Sequence, residues 1–162
     1  DHLYVCGTDD LQEELRSCGA ELCGPEDASN LVIGYDPGFD YEKLTVAVRV
    51  ALRADIVVAC NRERVFRGED AELFPGCGGM VAPIEWCSSR SVDCVVGKPN
   101  TLLLETVCRE FGYQPEEVAM VGDTFESDIV MANTFGCKAV LIGDERLDTV
   151  SVNSIEMLRE LL

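Results

Sequence analysis

Histidine is nearly missing from this chain: His2 is the single one in 162 residues. A zinc site of mixed His/Cys type therefore has little material. Nine cysteines are present, at 6, 18, 23, 60, 77, 87, 94, 108 and 137, yet no pair shows CxxC spacing and the count is odd. That pattern suits reduced thiols in a cytoplasmic or organellar-matrix protein better than a disulfide framework. A nucleophilic cysteine needs a basic neighbour to lower its pKa, and Cys60, near Arg62 and Arg64, is the one mild candidate. Basic residues are scarce as well. Thirteen Lys and Arg stand against 30 Asp and Glu, for a net charge of −17. General nucleic-acid binding, which needs basic patches to displace counterions, is set aside on that ground. A phosphorylated substrate is not, because a bound metal can invert the local field. No apolar stretch approaches the ~20 residues of a membrane helix, and no signal-peptide pattern precedes the first strand. A membrane partner is therefore not expected. The chain starts at Asp1 rather than Met, as a processed or truncated piece would.

Nucleotide-binding glycine patterns are also lacking. Gly76-Cys77-Gly78-Gly79 is not GxGxxG and is not followed by Gly-Lys-Ser/Thr, so it reads as a tight turn. No glycine fingerprint follows the first strand, which weakens a nucleotide-binding doubly wound domain.

What is there is apolar and regularly spaced, with 47% hydrophobic residues. Leu3–Cys6 reads as a strand, and Thr8 or Asp9 can cap a helix from Asp10 to Cys18 with Leu11 and Leu15 inward. Ala20–Cys23 has the look of a brief strand, and Leu31–Tyr35 of a buried one. Leu44, Val48 and Leu52 recur at helical spacing over about 41–53, before the strand Asp55–Cys60. This alternation predicts an α/β fold with a mostly parallel sheet. Residues 61–75 are polar and loop-like, with Arg62, Arg64 and Arg67 clustered, and a short helix is expected from Met80 to Cys87. The polar seam Ser88–Ser91 divides the chain into lobes 1–88 and 89–162.

The second lobe is expected to open on a strand at Val92–Val96, which runs into Gly97-Lys98-Pro99-Asn100. A helix over 101–111, with Leu103, Val107 and Phe111 on one side, follows. Val118–Val121 is then a short apolar strand, stopped by Gly122-Asp123-Thr124, and Phe125, Ile129, Ala132 and Phe135 mark one face of a helix. A last strand is expected at Lys138–Ile142, then a loop over 144–152 and a closing helix over 155–162 capped by Ser154. Asp123 and Asp128 thus gather at the carboxyl rim of the sheet, where open α/β folds bind ligands. Two acids there suit a hard cation such as Mg²⁺. The plainer reading is helix capping by Asp123, Thr124 or Ser127. Lys98 could balance phosphate charge beside those acids, or be a surface lysine at a strand end.

Taken together, Gly97-Lys98-Pro99-Asn100 and Val121-Gly122-Asp123-Thr124-Phe125-Glu126-Ser127-Asp128-Ile129 resemble the last two sequence blocks of the haloacid dehalogenase (HAD) superfamily. The opening strand–helix–strand, the turn and helix over 35–44, the Ala59-Cys60-Asn61 strand end and the segment 75–85 resemble the large α/β cap of its 4-nitrophenylphosphatase, phosphoglycolate phosphatase and pyridoxal phosphatase-like branch. The resemblance implies an α/β cap over 1–88, followed by the second half of a Rossmann-like core over 89–162. It implies a Mg²⁺-dependent phosphomonoester hydrolase that works through an aspartyl-phosphate, acting on a small phosphorylated metabolite. Lys98, Asp123 and Asp128 would be its catalytic residues, with Asp123 and Asp128 at the metal. Asn61, Arg62, Arg64, Lys98 and Asn100 would touch substrate, and Thr124 would help to orient these groups. The family's amino-terminal DxDGT block is not found, and Asp9 and Asp10 do not reproduce it. The chain alone is therefore expected to be inactive, with an apolar strand edge left open to a second copy. A homodimer fits that expectation. The other reading is a non-catalytic binding or regulatory module that keeps the fold.

Overall fold

A computed structural model describes residues 2–70, 72–143 and 149–160, the side chains of 159 and 160 excepted. It is a mixed α/β chain in two compact units, Asp1–Val96 and Gly97–Leu162.

In the first unit β1 (Leu3–Cys6), β2 (Asn30–Ile33), β3 (Ile56–Ala59) and β6 (Cys94–Val95) form one parallel sheet in the order β1-β2-β3-β6. Parallel strands need crossovers, and the helices α1 (Asp9–Ser17), α2 (Tyr41–Ala51) and α3 (Gly78–Ser88) provide them. Thr8 caps α1 by accepting from the Leu11 amide at 3.3 Å, and Asp40 caps α2 by accepting from the Lys43 amide at 2.8 Å. The core lies between the sheet, through Leu31, Ile33, Val57 and Ala59, and the packed pair of α2 and α3, through Val50 and Ile84.

Several expectations need correcting here. The face of α2 that is buried carries Ala47, Val50 and Ala51, whereas Leu52 is 64% exposed. Small residues let α2 lie close against its neighbours, and of the expected stripe Leu44 packs against the core whereas Leu52 does not. Leu11 and Leu15 of α1 are half-buried rather than buried, and the Ala20–Cys23 strand reduces to a single bridge between Leu3 and Leu22. The polar stretch 61–75 is not only loop. β4 (Val65–Arg67) and β5 (Leu73–Pro75) form an antiparallel hairpin, on which Phe66 stacks with Phe74 at 5.6 Å and meets Tyr35 edge-on at 5.4 Å. The strand expected to open the second lobe is β6, and it pairs with β3 inside the first unit. Beside it, Asp93 accepts from the Val57 amide at 2.7 Å and from Arg90 at 2.8 Å. The amide bond first, and the guanidinium second, hold the Asp93 carboxyl below its ordinary range.

The second unit holds α4 (Leu102–Phe111), β7 (Ala119–Gly122), α5 (Val130–Phe135), β8 (Lys138–Ile142) and β9 (Val150–Val152). Its three strands are parallel in the order β7-β8-β9, so among the described residues β7 is paired on one side only. Val121, Val140 and Val150 share one level and one face, while Leu141 is buried on the other, where α5 packs. The stripe on one side of α4, Leu103, Val107 and Phe111, is exposed, and Cys108 is the buried residue of that helix. β9 lies within the expected loop, whose residues 144–148 fall outside the described set. The closing helix is a 3₁₀ turn over Ile155–Glu160, with 161 and 162 also outside it. No helix among the described residues is long and apolar enough to cross a membrane.

Candidate functional site

β7 ends at Gly122, and the chain turns at Asp123 and Thr124 into a π-helical turn over Phe125–Ile129 that continues as α5. The expectation was a plain α-helix from Phe125. Wide turns of this kind re-aim side chains, and here Ser127, Asp128 and Ile129 are all buried. Asp128 is 1% exposed. Its amide donates to the Thr124 carbonyl at 2.8 Å, and its Oδ2 accepts from the Thr124 amide at 3.1 Å. Its Oδ1 accepts from Lys98 Nζ at 2.7 Å, a charge-assisted bond across 30 residues of sequence. The structure thus brings Lys98 and Asp128 together. A carboxylate this deeply buried needs such partners, because an unpaired charge would be costly there.

Asp123 differs from Asp128. It is exposed, and its Oδ1 accepts from the Thr124 hydroxyl at 3.2 Å. It lines a pocket of about 300 Å³ with Thr124, Glu126, Leu141 and Gly143, at the carboxyl end of β7 and β8. Asn100 is exposed as well, and its Oδ1 accepts from the Leu102 amide at 2.9 Å, which turns the chain into α4.

The residues nominated in the first unit form a separate group. Asn61 accepts from the Glu63 amide at 3.0 Å, Arg62 pairs with Glu85, and Arg64 accepts at its carbonyl from the Gly76 amide at 2.9 Å. Gly78 donates to the Glu63 carbonyl at 2.8 Å, so the 61–64 loop and the glycine turn lie against one another. That contact explains the glycines, since a Cβ at Gly76 or Gly78 would strike the carbonyls of Arg62 and Glu63. Cys60 is no activated thiol. Burial pushes it up to about 11, as burial and the nearby Asp36 do for Cys6.

Could these residues hold a divalent cation? Among the described residues no three His, Cys, Asp or Glu side chains are grouped as a full ligand set. Mg²⁺ asks for less, because one or two carboxylates suffice when phosphate and water supply the rest. Exposed Asp123 fits that role. Asp128 has its two oxygens turned to Lys98 and Thr124, which leaves it better placed to act through a neighbour or a water. Thr124, expected to orient the site, does so through its amide, which only the turn geometry aims at Asp128; Gly122 is a member that was not nominated from sequence. Gly122 offered a signal, a glycine between an apolar strand and an acid, but its meaning depends on where Asp128 folds back.

The HAD-hydrolase-like family model matches residues 95–156. The sugar-phosphatase AraL of Bacillus subtilis is 32% identical over 155 residues, which is 91% of this chain and 57% of that protein. Glycerol-3-phosphate phosphatase of Rattus norvegicus is 31% identical over 172 residues, which is 93% of this chain and 53% of that protein. The chain therefore spans little more than half the length of these relatives. Among solved structures, the p-nitrophenyl phosphatase from Archaeoglobus fulgidus superposes with a TM-score of 0.81 at 29% identity, covering 99% of this chain and 61% of that one. The 4-nitrophenylphosphatase from Thermotoga maritima superposes at 0.87, over 98% of this chain and 64% of that one; at 23% identity this likeness concerns the fold alone.

Proposed function

Since the chain belongs to the haloacid dehalogenase superfamily, we propose that it supplies one side of a phosphatase site, acting on a small phosphorylated metabolite. The observation that carries this reading is the 2.7 Å pairing of Lys98 with buried Asp128, beside exposed Asp123 at the strand rim. In phosphomonoester hydrolysis through a carboxylate, an oxygen of that carboxylate bonds to phosphorus as the ester oxygen leaves and takes a proton. Water then splits the acyl phosphate and frees phosphate. No residue of this chain is assigned as the attacking carboxylate. Lys98 balances the charge spread over the transferred phosphoryl oxygens, and Asp128 fixes where that ammonium stands. Asp123 would hold Mg²⁺ through a carboxylate oxygen, and the bound ion would neutralise phosphate charge.

The first unit serves as the cap, with Asn61, Arg62 and Arg64 as its substrate contacts. The second serves as the carboxyl-terminal part of the catalytic core, with Asn100 near the substrate. The names of the relatives, a sugar phosphatase and a glycerol-3-phosphate phosphatase, support a small phosphate ester without choosing among them. A binding or regulatory module that keeps the fold is the second reading. It is favoured by the two oxygens of Asp128, which are turned to Lys98 and Thr124 rather than toward a ligand.

Release of phosphate from 4-nitrophenyl phosphate with Mg²⁺ separates the two. The comparison is between this chain and a longer form that adds the amino-terminal portion of the relatives' length. We expect turnover from the longer form, little from this chain, and loss of turnover on Asp123→Ala or Lys98→Ala. Absence of turnover from the longer form would falsify the phosphatase reading, and turnover that survives both substitutions would remove Asp123 and Lys98 from the site.

A further inference from the structure

Gly122 sits at the end of β7, and it is not among the positive-φ glycines, which are Gly19, Gly112, Gly136 and Gly143. Its backbone is one that any residue could adopt, so conformation does not call for glycine there. Space does. A Cβ at Gly122 would run into Cβ, Cγ and Oδ2 of Asp128. At Gly7, by contrast, an added Cβ would meet first the tip of Leu11, a flexible end that can swing aside. Asp128 has no such freedom. Its amide is bonded to the Thr124 carbonyl at 2.8 Å, its carboxylate is bonded at both oxygens, and it is 1% exposed.

We propose that Gly122 is a positioning residue, whose absent side chain leaves the volume that Asp128 fills in order to hold Lys98. The inference deepens the role given to Lys98 above and rests on it for its functional meaning, but its steric content stands alone. Asp128 enters the second unit as a side chain folded back over the strand that precedes it. Any Cβ at Gly122 would lift the carboxylate away from both Nζ of Lys98 and the amide of Thr124.

The test uses the 162-residue chain with Gly122→Ala, Asp128→Gly and the double variant. Acylation of Lys98 by a soluble ester is followed by peptide mass spectrometry, with Lys43, held by Asp36 at 2.6 Å, as the internal reference. Gly122→Ala is expected to raise the Lys98 rate about fivefold or more, the scale of one lost charge-assisted bond, and to leave Lys43 unchanged. Melting temperature gives the second measurement. Gly122→Ala should lower it in the parent and much less in the Asp128→Gly background, where the three colliding atoms are gone. Equal losses in both backgrounds, or an unchanged Lys98 rate in folded Gly122→Ala, overturn the proposal. If Lys98 is freed but the longer form still releases phosphate at the parent rate, the steric inference holds and the catalytic role of Lys98 falls.

Discussion

Replacing Asp128 by alanine tests whether its buried pair holds the second unit together. The side chain of Asp128 is 2% exposed and that of Lys98 35%, so the two ends of the contact are not equivalent. Without the carboxylate, the Thr124 amide loses an acceptor, which costs about 1–2 kcal/mol for a partly buried donor. Lys98 loses the charge of Asp128, but with a third of its side chain in solvent it can turn outward. The penalty is then nearer ~1–2 kcal/mol than the ~3–5 of a fully buried broken pair. The expected total is about 2–4 kcal/mol, a large share of an ordinary domain's stability. Hydrogen exchange read by mass spectrometry resolves it by segment. Protection over 119–135 should fall by about 30- to 1,000-fold, taking ~1.4 kcal/mol per decade. Peptides from β1 to β3 should not change. Lys98→Ala should cost more than Asp128→Ala, because the stranded partner is then the one that cannot reach water. Refutation would be a loss below about 0.5 kcal/mol, the range of ordinary surface substitutions, or the opposite ranking of the two variants.

Two other expectations follow from the same geometry. Asp93, held below its ordinary range, stabilises the folded chain fully above the unfolded carboxylate value of about 4, and that contribution fades as pH falls through its lower folded value. Asp93→Asn should therefore lower stability at neutral pH and flatten the acid limb below about pH 4 in urea titrations; an unchanged acid limb would count against it. The cysteines should alkylate by exposure: Cys18, Cys87 and Cys94 first, with Cys6 and Cys60, both raised to about 11, among the slowest. Labelling of Cys60 as fast as Cys94 under native conditions would contradict its burial.

Sequence periodicity was enough to find β2, α2, β7 and β8, because short apolar runs and 3.6-residue spacing survive without knowledge of the partner. It failed where the partner decides. Val65-Phe66-Arg67 and Leu73-Phe74-Pro75 are too short to announce strands, and stacking of Phe66 on Phe74 exists only once the hairpin closes. On α2 bulk is an incomplete guide to the inner face: Leu44 packs against the core, but the close approach of α3 puts Ala47 and Ala51 there rather than Leu52. The exposed Leu103, Val107 and Phe111 of α4 show the reverse: a good amphipathic stripe with nothing over it among the described residues. At the site, residue types and spacing nominated Lys98, Asp123 and Asp128. Which acid takes the ammonium was not legible, because the wide turn at Phe125–Ile129 settles it by swinging Asp128 inward.

The one-sided pairing of β7 bears on handling in solution. Val118-Ala119-Met120-Val121 carries no charge and no proline, and on the side away from β8 no strand among the described residues takes up its amides and carbonyls. Such a ribbon is a template onto which another molecule can zip. Losses on refolding should then climb with protein concentration faster than with temperature. A lysine at Met120 should slow them without disturbing the opposite end of the chain.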